Sequence, residues 1–227
     1  MLQMFELRKY ERMFLIAPLI SRLGRFLMPP LLDERIKGRK GYGLVQLIHG
    51  TGKGKTTAAL GQAIRCAGSG RRVLIVYFDK GGTTHYSERK IIESIDRIDY
   101  VATGRDRIDP VTGRFDFSII DVDKTEARRG IEVARLAMIG DIHKGGHKAL
   151  PYDLVILDEI NSTVDLGMLD AQCMLDAIAQ KRDEIEVILT GRNPPQSFID
   201  AAHLVTEVKL ERHYFYSGVP AREGLDY

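Results

Sequence analysis

The order of apolar runs along this 227-residue chain predicts an α/β domain with a mostly parallel sheet covered by helices on both faces. Three observations predict it. Short, nearly continuous aliphatic runs alternate with longer stretches of helical periodicity. The first of these runs feeds a glycine-rich turn that opens into a helix-forming segment. A later run ends in two adjacent acids, and in a parallel sheet both strand ends reach the same edge.

Residues 1–40 read as an N-terminal arm and linker. Ile16, Leu19, Ile20, Leu23, Phe26 and Leu27 fall at helical spacing with Arg22 and Arg25 between them, which suits an arm packed on its own domain or on a partner subunit, or a helix on a membrane surface. Pro29-Pro30 breaks that pattern, and a basic linker from Arg35 to Lys40 leads into residues 41–227, which read as one domain. Leu44 to Ile48 is the first strand, and Thr57 to Ser69 is an alanine-rich helix ended by Gly68 and Gly70. Arg72 to Phe78 is a strand closed by Gly81-Gly82, Ser87 to Ile95 is helical, and Tyr100 to Ala102 is a short strand. Thr103 to Asp123 lacks periodicity; a loop of that length in a compact domain is often a substrate lid. Lys124 to His143 is the longest helical pattern, with Ile131, Ala134, Leu136, Met138 and Ile139 near one face, and it ends in a flexible turn over 144–148. Leu154 to Leu157 (strand), Asp170 to Lys181 (helix), Glu186 to Thr190 (strand), Pro194 to Ala202 (helix) and Leu204 to Leu210 (strand) complete the alternation.

Composition narrows the classes of function. A net charge of +2 gives no strong electrostatic case for nucleic acid. The charge is uneven: residues 1–40 hold nine Lys/Arg against four Asp/Glu, leaving 24 against 27 for the rest. No segment approaches the ~20 apolar residues that span a bilayer, so stable membrane insertion is not expected. Cys66 and Cys173 form neither a disulfide framework nor a zinc-ligand pattern, which fits a reducing cytoplasm.

The stretch His49-Gly50-Thr51-Gly52-Lys53-Gly54-Lys55-Thr56-Thr57 has the makings of a phosphate-binding loop. Glycines let successive backbone N–H groups converge on an anion, and the following helix adds its positive end. Lys55 supplies a mobile charge for the outer phosphates, and the Thr56 hydroxyl suits a Mg²⁺ ligand. The general pattern asks for glycine where this chain has His49, while glycine is kept at 50, 52 and 54. The strand Leu154 to Leu157 delivers Asp158-Glu159 at its carboxyl end, where one carboxylate can hold Mg²⁺ and the other can coordinate too or position a substrate. Arg192 ends the next strand, placed either to contact phosphate or to pair with Asp158 or Asp200. Lys80 ends the second strand and is a weaker candidate for the same edge.

These residues resemble the phosphate-loop ATP:corrinoid adenosyltransferases of the cobalamin pathway, over about residues 43–227. The resemblance rests on Gly50-Thr51-Gly52-Lys53-Gly54-Lys55-Thr56-Thr57-Ala58-Ala59, Arg72 to Phe78 with Lys80-Gly81, Tyr152 to Asn161, Leu189-Thr190-Gly191-Arg192, and the tail Ala221 to Tyr227. It implies a single RecA-like phosphate-loop domain whose loop does not need glycine at position 49. It also implies an activity: a cob(I)alamin or related corrinoid attacks the 5′ carbon of ATP and inorganic triphosphate leaves. The triphosphate would lie in reversed order, neutralised by Lys53, Lys55, the Gly52 and Gly54 amides, and Mg²⁺ on Thr56 and Glu159. Lys55 and Glu159 would be the catalytic pair. ATP, Mg²⁺ and a reduced corrinoid are the implied ligands, a flavoprotein is the implied reductant, and a homodimer is left open.

Some family members set a Phe-x-Trp pair beside the corrinoid, but this chain has no tryptophan. Phe115 and Phe117 lie in the corresponding region, either for that part or to anchor a loop. Rival readings are a RecA-like ATPase that makes ADP, a corrinoid carrier that consumes neither ligand, and a nucleoside kinase. The net acidity after residue 40 disfavours the first as a motor on nucleic acid.

Overall fold

Six strands form one sheet in the order β3-β2-β6-β7-β1-β8, every pairing parallel, in a computed structural model that describes residues 32–82, 85–109, 111, 114–144, 147–148 and 150–226. The strands are β1 (Val45–His49), β2 (Val73–Tyr77), β3 (Ile98–Ala102), β6 (Leu154–Asp158), β7 (Glu186–Gly191) and β8 (Leu204–Glu207). The helices are α1 (Lys55–Gly68), α2 (Glu88–Ile92), α3 (Asp121–Ile139), α4 (Ile160–Asp165), α5 (Ala171–Gln180) and α6 (Gln196–Ala201). The expected α/β class is therefore observed, with the main sheet wholly parallel.

Each central strand is apolar on both sides because both faces are covered. Val45, Leu47, Leu74, Val76, Val155, Leu157, Val187 and Leu189 enter one core with Ala127, Ile131, Ala134 and Met138 of α3, Met174 of α5 and Phe198 of α6. Ile48, Val73, Ile75, Ile156 and Ile188 enter the other, against Ala59, Ala63 and Cys66 of α1. The small residues of α1 let it lie close to the sheet that launches it. The helix expected from Lys124 starts earlier, at Asp121, because the Asp123 carboxylate accepts the Ile120 N–H at 2.9 Å and caps the first turn. It also ends earlier: Gly140 takes a left-handed conformation at φ 72° and closes it.

Where a flexible turn was expected after α3, the chain forms a two-residue antiparallel pair, β4 (His143–Lys144) with β5 (His147–Lys148). The helix α4 has no counterpart in the sequence reading; its six residues are too few to show a period. Chain contacts separate a unit Met1–Lys37 from a unit Gly38–Tyr227. In the first, Asp33 caps a single 3₁₀ turn, Glu34–Ile36. The helical pattern expected over Ile16 to Leu27 lies outside the described residues.

Candidate active site

The glycine-rich loop occupies the carboxyl edge between β1 and α1. Gly50 and Gly54 hold φ near +111° and +112°, a region that side chains strain to enter. Close approach makes a second demand. A Cβ on Gly50 would lie 2.5 Å from the Val208 carbonyl oxygen, and one on Gly52 would lie 2.8 Å from that of Lys209. The Gly52 N–H donates to the Val208 carbonyl at 2.7 Å. That amide is thus engaged with the chain after β8 in this arrangement and does not point into the cradle, so the amide contribution expected of Gly52 is not on offer here. Helix α1 begins at Lys55, so the N–H groups of Lys55, Thr56 and Thr57 lie in its first turn, where no intrahelical acceptor exists. Lys55 is buried at 7 % exposure and its ammonium donates to the Gly52 carbonyl at 2.9 Å. Burial pushes its pKa down, Glu159 opposes that shift, and Arg192 and Lys80 reinforce it.

The two acids of β6 are fixed by the neighbouring strand. Thr190 of β7 donates its hydroxyl to Asp158 Oδ1 at 2.7 Å and accepts the Glu159 N–H at 3.0 Å. Glu159 adopts φ 63°, a left-handed conformation rare for a residue with a Cβ. Ser162 of α4 donates to the Glu159 carboxylate at 2.6 Å and accepts the Arg192 N–H at 3.0 Å. Lys80 lies among them: its ammonium is 2.5 Å from Asp158 Oδ2, 3.2 Å from Thr56 Oγ1 and 3.8 Å from Glu159 Oε1. Burial pulls the Lys80 pKa down, but the Asp158 and Glu159 carboxylates more than offset this and the net shift is upward.

Two cavities adjoin the loop. One, of about 430 Å³, is lined by Lys55, Thr56, Lys80, Tyr86 and Glu159 among others. The second, of about 690 Å³, has Thr51, Arg192, Tyr214, Phe215 and Tyr216 in its wall. Lys53 and Asp226 line both, and Lys53 is joined to the Asp226 carboxylate of the tail at 2.8 Å. Asp226 also accepts from the Tyr214 hydroxyl and from the Arg222 N–H. The Lys53 and Tyr214 contacts hold its carboxyl well below the usual carboxylate range.

A family model described as ATP:corrinoid adenosyltransferase BtuR/CobO/CobP matches residues 41–227, the stretch that contains the whole of this edge. The chain belongs to that family. It is 30% identical over 198 residues to a corrinoid adenosyltransferase of Pseudomonas aeruginosa, covering 87% of this chain and 90% of that one. It is likewise 30% identical over 201 residues to the corrinoid adenosyltransferase CobA of Salmonella typhimurium, covering 86% and 92%. An uncharacterized protein of Nostoc is 34% identical over 191 residues; the match takes in 79% of this chain and about half, 47%, of that relative. Among solved structures, that of the RadB recombinase aligns with a TM-score of 0.45 at 17% identity, covering 78% of this chain and 80% of that one.

In this adenosyltransferase family member the loop residues 50–57, Asp158, Glu159 and Arg192 come to one edge, as expected for the ends of parallel strands. Arg192 makes no ion pair among the described residues; Asp158 has Lys80 instead. Phe115 and Phe117 stand apart, lining neither cavity. Their rings are 4.7 Å apart and 49% and 84% exposed, so they do not anchor their loop by burial. Arginines anchor it. Arg107, 5% exposed, bonds Asp79 at 2.6 Å and the Ser118 carbonyl at 2.6 Å, and Arg105 bonds Asp116 at 2.7 Å and Asp123 at 3.1 Å. The sequence reading missed Thr190 and Ser162 as holders of Glu159. A hydroxyl at the end of an aliphatic strand was the available signal for Thr190.

Proposed function

We propose that this chain transfers the 5′-deoxyadenosyl group of ATP to the cobalt of a reduced corrinoid, cob(I)alamin or cob(I)yrinic acid a,c-diamide, with release of triphosphate. The observation that carries the reading is that the stretch matching the adenosyltransferase family, residues 41–227, contains the complete cationic cradle. The reduced cobalt of the substrate is the nucleophile, so no protein base is required. Its electron pair forms the cobalt–carbon bond as the C5′–O bond breaks, and that bonding pair leaves on the triphosphate. The protein's work is alignment and stabilisation of charge on the leaving oxygen.

In this reading Gly50, Thr51, Gly52 and Gly54 shape the cradle, Gly52 by lacking a Cβ. The helix-end amides at Lys55, Thr56 and Thr57 and the Lys55 and Arg192 side chains bind the triphosphate, with the reacting carbon outward. Lys53 joins them by leaving Asp226. Thr56, Asp158 and Glu159 offer a hydroxyl and two carboxylates, hard oxygen donors that suit Mg²⁺. The place already accepts a cation, since the Lys80 ammonium lies among these three groups. When bound, Mg²⁺ would neutralise charge on the leaving triphosphate. The exposed Phe115 and Phe117 pair is assigned to the corrinoid, and residues 1–40 to a separate arm. A flavoprotein is the expected source of electrons. The free thiols Cys66 and Cys173 suit a cytoplasmic setting, and no helix among the described residues is long and apolar enough to cross a membrane.

The test is product analysis. The protein is incubated with ATP, Mg²⁺ and a chemically reduced corrinoid. Triphosphate together with a light-sensitive cobalt–carbon bond is the expected outcome; ADP and phosphate as the products would refute the reading.

A further inference from the structure

We propose that Lys80 is the resident cation of the metal position. Its ammonium fills the space among Thr56, Asp158 and Glu159 in the nucleotide-free protein and yields it when a divalent ion arrives with the triphosphate. The inference rests on the metal-assisted reading of the site and goes beyond it, because it assigns a new role to a side chain outside the donor set.

Geometry is the first support. One nitrogen lies 2.5 Å from Asp158 Oδ2, 3.2 Å from Thr56 Oγ1 and 3.8 Å from Glu159 Oε1, so it faces all three oxygen groups at once. The second support is electrostatic. Asp158 is 1% exposed, and its other oxygen is already occupied by Thr190. Without a cation beside it, this carboxylate would be a buried charge with no counter-ion. The lysine removes the same penalty that a bound metal ion would remove.

The backbone around Lys80 is fixed, so the exchange has to occur in the side chain. The Lys80 N–H donates to the Thr103 carbonyl at 2.9 Å. Arg89 donates to the carbonyls of Lys80 and Gly82 at 2.6 and 2.8 Å, and its guanidinium lies over the rings of Tyr86 and Tyr77 at 3.9 and 4.8 Å. Gly81 packs so closely on Gly104 that a Cβ would come within 2.1 Å of its carbonyl oxygen. What remains mobile is a four-carbon stem carrying a compact charge, and it lines the same cavity as Lys53, Lys55 and Thr56. Once displaced, the ammonium can turn towards the triphosphate and add to the cradle. Metal binding without nucleotide is then weak, because the ion has to expel the ammonium with no phosphate oxygens to hold it. By linkage, the nucleotide and the metal strengthen each other's binding.

Manganese electron paramagnetic resonance on the nucleotide-free protein tests this directly, with Lys80→Met and Lys80→Gln as two neutral side chains of different shape. Both are expected to bind Mn²⁺ about tenfold more tightly than the unaltered protein, the low end of what changed surroundings do to a metal site. Adding Asp158→Asn should abolish the gain. Calorimetric titration of ATP in excess chelator should show the opposite sign: about tenfold weaker binding in both variants, since the resident cation is gone. Mn²⁺ affinity equal to or below that of the unaltered protein, in variants with a normal melting transition, overturns the proposal. Neither measurement depends on turnover. Formation of ADP would sink the proposed reaction and leave this result standing.

Discussion

Replacing Thr190 by valine keeps the shape of the side chain and removes its hydroxyl, which makes it the most informative perturbation of the site. Thr190 is fully buried, and its hydroxyl joins the Asp158 carboxylate at 2.7 Å to the Glu159 N–H at 3.0 Å. The variant therefore leaves the buried Asp158 carboxylate and the part-buried Glu159 N–H each short of a partner. A hydrogen bond to a charged acceptor contributes about 1.5–3 kcal/mol, and an unsatisfied buried donor costs about 1–3 kcal/mol. Asp158 keeps Lys80, which limits its loss, so a total near 3 kcal/mol is the reasoned value, close to the lower sum of these two ranges. For a chain of this size each kcal/mol lowers the melting temperature by roughly 2–4 °C, giving about 6–12 °C. The functional effect is separate. Glu159 sits at an unfavourable φ of 63° and is held there partly by this N–H contact, so its carboxylate should lose its aim. The Mg²⁺ concentration at half-maximal activity should rise about 10–100-fold. Urea unfolding and a metal titration of adenosyl transfer measure the two effects, and Thr190→Ser, which keeps the hydroxyl, serves as the control. If the valine variant melts with the serine control and needs no more metal, then the bridge between β6 and β7 does not position Glu159.

Lys55→Ala should lose about 2.7–4 kcal/mol in kcat/KM, the scale of one preorganised donor; near-normal turnover would contradict the role given to Lys55. Phe117→Ala should impair transfer to complete cobalamin more than to a corrinoid lacking a lower cobalt ligand, and equal effects on the two substrates would remove it from the corrinoid site. Arg107→Ala strands Asp79, 2.6 Å from the guanidinium, while Asp123 keeps Arg105 at 3.1 Å, so it should destabilise by about 3 kcal/mol in urea unfolding. Burial pushes the Cys66 thiol up, whereas Cys173 is exposed. Native protein should therefore incorporate one thiol label per chain and denatured protein two. Because the native Cys66 value lies above the unfolded one, its contribution to stability is present below the ordinary thiol range and fades as pH rises through the native value.

Much of this site was legible in the sequence because its chemistry sits in contiguous motifs. The loop 49–57 and the pair Asp158-Glu159 can each be read locally, and parallel strands oblige their ends to share an edge. Strand order was not legible. Nothing local in Leu44 to His49 says that β1 lies beside β7 and β8, with Val45 level with Val187 and Gln46 level with Leu204. That order decides what was missed: β7 stands between the loop strand and the acid strand, so Thr190 becomes the bridge to Asp158 and Glu159. The arginine staples of the 103–120 loop escaped for a similar reason, since Arg107 finds Asp79 at the end of β2 rather than a neighbour in sequence.

The pairing of the lysines also bears on how a triphosphate would be received. Each of the three lysines near the loop already has a partner: Lys55 on the Gly52 carbonyl, Lys53 on Asp226 and Lys80 on Asp158. A cluster of unpaired ammonium groups would repel itself and destabilise the fold before any ligand came. Binding then exchanges one set of partners for another. The costs differ between the three: Lys55 leaves a neutral carbonyl, Lys53 leaves a carboxylate that keeps Arg222, and Lys80 leaves the buried Asp158 in need of a new counter-charge. In the proposed reading that counter-charge for Asp158 is the incoming divalent ion, so a nucleotide that arrives without metal would not free Lys80 cheaply. Asp226 keeps Arg222, 3.2 Å away, and the Tyr214 hydroxyl when Lys53 leaves. The same swap therefore costs less at the half-exposed Lys53 than beside the buried Asp158. Lys55 should engage the triphosphate first and Lys80 last, only once a divalent ion has taken its place.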